Sequence, residues 1–96
     1  MTLDEMRKIF LDILKSTPGV YGICQNEAEC SGLAHEYLTI QKIDEHWYFG
    51  ATIVILKYSN AKNVVNSISS HLRYELTKRR EKLGKLNIFI GGLTND

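Results

Sequence analysis

Apolar and polar positions follow two different periods along this chain, and the switches between them mark out six elements. Leu3, Met6, Phe10, Ile13 and Leu14 recur at helical spacing, which predicts a helix over about residues 3–15. Thr2 and Glu5 have the capping-box form that satisfies free amide donors at a helix start. Pro18 forbids continuation and pushes Thr17 to an extended conformation, while Gly19 frees the turn, so "VYGICQ" reads as a short strand. The polar stretch 26–34 follows neither period and carries Gly32, as a loop or a weak extension of that strand would. "HEYLTIQKI" then alternates, "DEH" interrupts, and "WYFGATIVILKY" is rich in β-formers, which together predict a hairpin.

Asn60 is placed to cap a second helix, in which Val64, Ile68, Leu72 and Leu76 recur every fourth residue and Val65 widens the stripe. That helix is expected over about 61–82, with Gly84 as its left-handed stop. "KLNIFIGG" closes the pattern as a strand, with Leu86, Ile88 and Ile90 inward against Asn87 and Phe89. The expected fold class is α+β, one domain over residues 1–96 in the order α-β-β-β-α-β. Both helices would pack on one face of a three- or four-stranded mixed sheet, with a right-handed crossover if the strands flanking the second helix are parallel.

Composition narrows the function classes. Ninety-six residues of ordinary globular composition hold one domain, and a formal charge of +1 gives no global preference for polyanions or membranes. No run approaches the roughly 18 apolar residues of a transmembrane helix, so direct membrane insertion is not expected. Two cysteines are too few for a disulfide scaffold, and free thiols suit a reducing cytosol. The expected location is therefore cytoplasmic. Cys24, Cys30, His35 and His46 have metal-ligand atoms, but the C-x5-C and C-x4-H spacings match no compact zinc pattern. No nucleophile with a base and an orienting partner is legible either, so neither a cofactor nor an enzymatic activity is expected. His71 borders the apolar stripe of the second helix as an ordinary boundary residue.

Two groups of side chains are candidates for contact. Over residues 71–85, six cations (Arg73, Lys78, Arg79, Arg80, Lys82 and Lys85) face two carboxylates, Glu75 and Glu81. Cations at a helix C-terminus offset the partial charge of free carbonyls by about 0.3–1 kcal/mol each, which by itself accounts for their placement. Arg73 and Arg80, seven residues apart on an outward stripe, are the two candidates for steering a phosphate or an acidic protein surface. Trp47, Phe49 and Phe89 are the candidates for an aromatic contact surface on the sheet, for a second copy or for stacked bases.

The second half of the chain carries a wider pattern. "ATIVILKYSNAKNVVNSISSHLRYEL" followed by "KLNIFIGGL" resembles the alkaline shock protein family of small bacterial proteins. The match lies in an alternating strand ending in an aromatic such as Tyr58, an asparagine such as Asn60, a helix, and a last strand Leu86–Asn87–Ile88–Phe89–Ile90–Gly91. "PGVYGI", residues 18–23, matches the family's turn after its first helix. The family's frequent strand before the first helix has no counterpart here, segment 26–46 is unfamiliar, and "REKLGK" replaces the usual threonine and glycine turn. The resemblance implies a non-enzymatic cytoplasmic protein of envelope homeostasis or stress, whose partners are itself and other bacterial proteins, among them a membrane anchor. It brings no catalytic residues. The helix-strands-helix-strand order also resembles the type II KH arrangement, which makes an RNA-binding or ribosome-associated protein the rival expectation. The chain lacks the GxxG loop that the usual KH domain uses to clamp a backbone.

Overall fold

The computed structural model describes residues 2–24 and 38–93. It has the predicted order: α1 (Leu3–Ser16), β1 (Val20–Cys24), β2 (Thr39–Ile43), β3 (His46–Ile55), α2 (Ala61–Lys78) and β4 (Lys82–Leu93). Segment 26–34, read as a loop or strand extension, lies outside the described residues, as do Cys30 and His35.

Both helix starts form as their sequences dictate. The Thr2 hydroxyl accepts from the Glu5 amide at 3.1 Å and the Glu5 carboxylate accepts from the Thr2 amide at 3.1 Å, closing the capping box. Those bonds hold the Glu5 carboxyl below its ordinary value, with the Thr2 backbone amide as the main cause. Asn60 accepts from the Asn63 amide at 3.1 Å and starts α2. At the other end of α1, Thr17 is extended and buried, its hydroxyl donating to the Ile13 carbonyl at 2.7 Å. Gly19 then takes φ +95°, and its α-carbon passes so close to Val64 and Ser59 that a side chain there would collide with both.

β3 is the axis of the sheet. β4 runs parallel to it along its whole length, occupying one edge. The other edge is shared end to end by two antiparallel strands, β2 opposite residues 46–50 and β1 opposite residues 52–55. The sheet is therefore mixed and four-stranded. The β2–β3 hairpin turns on Asp44 and Glu45, both at positive φ (50° and 68°), which is the geometry of a two-residue primed turn.

Alternation along β3 decides what the core contains. Trp47, Phe49, Ala51, Ile53 and Ile55 all point to one face and are all at most 2% exposed. Met6, Phe10, Ile13 and Leu14 from α1, and Val64, Ile68, Leu72 and Leu76 from α2, cover that face. Phe10 stands on Phe49 with ring centroids 4.9 Å apart. At about 1.5–3 kcal/mol for each large side chain withdrawn from water, this one layer dominates the stability.

The end of α2 differs from the expectation. The helix stops at Lys78 rather than near residue 82, and the left-handed residue is Arg80 (φ 59°), not Gly84. The amide of Glu81 bonds back to the Leu76 carbonyl at 2.8 Å, so the helix closes about one turn earlier than its glycine suggested. Gly84 lies inside β4, at a shift in its register with β3. Its bare α-carbon is what lets the Tyr48 ring lie against the strand, because a Cβ would come within 2.7 Å of that ring. Leu86 and Ile88 point to the helix side as expected but only half buried, and Ile90 is 38% exposed.

Candidate interaction surface

The five contact residues expected from the sequence do not converge. Trp47 and Phe49 are 1% and 2% exposed, so they are core side chains and not a contact surface. The reason is parity: both share the helix-facing side of β3 with Ile53 and Ile55, and the alternation in "WYFGATIVI" carries that signal. The indole N–H of Trp47 donates to a Glu81 carboxylate oxygen at 3.0 Å, and Lys42 sits 3.9 Å from the same oxygen and 5.3 Å above the indole ring. Phe89 pairs with Thr52 in register and is half buried on the face away from the helices. Arg73 is exposed on α2. Arg80 is exposed too, but it lies past the helix end, so the two arginines do not share a helical stripe.

The basic cluster divides into two sets. Glu75 gathers the first: the Arg79 guanidinium hydrogen-bonds its carboxylate, while Lys78 and His71 stand 3.7 and 3.8 Å away. The hydrogen bond from Arg79 is the main reason that the Glu75 carboxyl titrates below its ordinary range, with the nearby cations adding to it. Arg79 also donates to the Glu75 backbone oxygen at 3.1 Å, tying off a free carbonyl at the helix end. Arg73, Arg80, Lys82 and Lys85 form the second set, which makes no ion pair among the described residues.

The surface with the strongest physical character is one the sequence did not single out, the outer side of β4. Among the described residues this 12-residue strand pairs only with β3, which leaves a row of backbone donors and acceptors facing outward. Leu83, Leu86 and Ile88 are half buried along that edge, and Ile90 and Leu93 are exposed at 38% and 57%. Inward of the row runs a groove between strand and helix, lined by Val65, Ser69 and Arg73 of α2 and by Leu83, Lys85 and Leu86 of β4.

The two ends of the edge are blunted in ways that discourage pairing. Lys82 and Lys85 flank a register shift at Gly84, and a second shift precedes Gly92. Between them, Leu86 to Ile90 carries no charge, no bulge and no proline. Among the described residues, no strand other than β3 pairs with that five-residue window. Sequence alternation showed a strand here, but not on which side of β3 it would pair, and edge status depends on that choice.

Among the described residues, no three histidine, cysteine, aspartate or glutamate side chains are grouped to hold a metal ion, and no helix is long and apolar enough to cross a membrane. His46 places Nδ1 2.8 Å from the Asp44 carbonyl oxygen, across the hairpin turn.

No protein-family model matches this chain, and no curated protein matches it. Solved structures do share its fold. A zinc form of an aspartate-to-asparagine variant of the MamM CTD superposes with a TM-score of 0.67 at 9% identity, over 94% of this chain and 85% of that one. A manganese form of a glutamate-to-aspartate variant gives 0.65 at 9% identity, over 93% and 96%. A nickel form of a glutamate-to-histidine variant gives 0.64 at 10%, over 94% and 98%. At such identities the likeness is one of backbone architecture, and it spans nearly the whole domain.

Proposed function

We propose that this chain is a non-catalytic interaction module of the alkaline shock protein type, which self-associates and serves bacterial cell-envelope homeostasis or stress. The observation that carries the reading is the outer edge of β4, which among the described residues pairs only with β3 and runs beside a half-covered apolar row. Soluble domains normally cover, charge or twist such an edge along its full length, because it is a template for another chain. Among the described residues, charge and register shifts blunt only the ends of this edge. The same strand, Leu86 to Gly91, carries the closest match to the family's last element, so kinship and exposed edge fall on the same residues. The envelope role rests on the resemblance alone, as an associational warrant.

Sedimentation over a wide concentration range, together with recovery of the tagged chain from its native cells, tests the reading. Concentration-dependent mass and an envelope-fraction or membrane-anchored partner support it. A strictly monomeric chain with no such partner refutes it.

A second reading, RNA or ribosome association, draws on Arg73, Arg80, Lys82 and Lys85, the cations that no described carboxylate engages. RNA affinity that falls steeply with salt, and falls again in an Arg73→Ala/Arg80→Ala variant, would favour it.

A further inference from the structure

The occupant of the β4 edge is encoded in the strand itself. On the helix-facing side, the apolar positions of β4 are Leu83, Leu86, Ile88, Ile90 and Leu93. Their spacing is palindromic about Ile88. We infer that β4 pairs antiparallel with β4 of a second copy across a two-fold axis at Ile88, joining two four-stranded sheets into one sheet of eight; this rests on the self-association proposed above.

Three physical requirements select that arrangement. In an antiparallel pair, directly opposite residues point to the same face, so centring on Ile88 sets Ile88 against itself, Leu86 against the partner's Ile90, and Leu83 against the partner's Leu93. Every member of the half-covered row then gains an apolar neighbour. Moving the centre to Asn87 sets Ile90 against Gly84 and Leu83 against Gly91, and moving it to Phe89 sets Leu86 against Gly92 and Leu93 against Lys85. A half-residue shift opposes apolar to polar positions and turns the two helical layers to opposite faces.

Charge supplies the second requirement. A parallel in-register pair would stack Lys82 and Lys85 on their own copies, which is repulsive, whereas the two-fold pair separates each lysine from its copy and sets Lys85 against Gly91. The third is closure. Each chain has one β4 edge, and an isologous contact about Ile88 uses it on both copies, so the assembly closes with two chains.

The test uses the position that meets itself. Ile88→Lys and Ile88→Glu are each expected to be monomeric at concentrations where the parent dimerises, because like charges face across the axis, and an equimolar mixture of the two is expected to restore the dimer. A fold-safe companion is single cysteines at 86, 88 or 90 in a Cys24→Ser/Cys30→Ser background, treated with a zero-length oxidant. Residue 88 lies beside its copy, whereas residues 86 and 90 lie about 13 Å from theirs along the strands, so only Ile88→Cys should cross-link rapidly. A parent that dimerises while the Ile88 charge variants stay dimeric, or while cysteine 88 links no faster than 86 or 90, overturns the two-fold pairing and leaves self-association standing. A parent that is monomeric throughout removes both.

Discussion

Replacing Glu81 by alanine removes the one acceptor that holds the indole N–H of Trp47. Trp47 is 1% exposed, so the freed N–H has little access to water, and an orphaned buried donor costs about 1–3 kcal/mol. We expect a loss of about 2 kcal/mol, which for a chain of this size lowers Tm by roughly 8–16 °C. Glu81→Gln keeps an oxygen at the same reach and gives up only the charge, so its cost is about half as large. Lys42→Ala removes an exposed partner 3.9 Å from Glu81 and a cation over the indole, worth about 0.5–1 kcal/mol together. Denaturant unfolding followed by tryptophan fluorescence measures all three, because Trp47 is the only tryptophan in the chain. The protein must be held at one low concentration, since assembly would add to apparent stability. A Glu81→Ala variant within 0.5 kcal/mol of the parent, or a glutamine variant as unstable as the alanine one, refutes the reasoning.

Two further outcomes follow from single contacts. Gly19→Ala forces a Cβ onto a φ of +95° and to within 2.8 Å of the buried Val64 side chain, so it should destabilise by about 2 kcal/mol or more; Gly22→Ala, with nothing within 4 Å, should change stability by about 0.5 kcal/mol or less in the same melt. Glu75 is held below its ordinary value chiefly by the Arg79 hydrogen bond, so its contribution to stability is present above its unfolded pKa and is lost as pH falls through the lower folded one. NMR titration of its carboxyl carbon should show the midpoint rising in Arg79→Ala, and an unchanged midpoint contradicts the assignment.

Much of the fold was legible because its signals are local. Thr2 with Glu5, Pro18 with Gly19, and Asn60 each act within four residues, and each does what its chemistry dictates. The stripe Val64, Ile68, Leu72, Leu76 was equally plain, since one face of one helix generates it. The misreadings arose where distant parts of the chain decide. Arg80 takes the left-handed conformation although its residue type gives no reason to, and the early turn brings Lys82 and Leu83 into register with His46 and Trp47 and Glu81 within reach of Trp47. Trp47 and Phe49 are a different case: their aromatic character suits a contact surface, but the two-residue period of the strand groups them with Ile53 and Ile55 in the core. The β4 edge was invisible because a strand's neighbours are a property of topology, not of its own residues.

The arrangement around β3 has a kinetic meaning as well. Every other strand is hydrogen-bonded to β3 and to no other described strand, so the sheet has a spine and no redundancy. β1 and β2 hold different halves of it, and either can peel away while the other stays. Parting β3 from β4, by contrast, opens the layer on which both helices rest, so that event and global denaturation are one and the same.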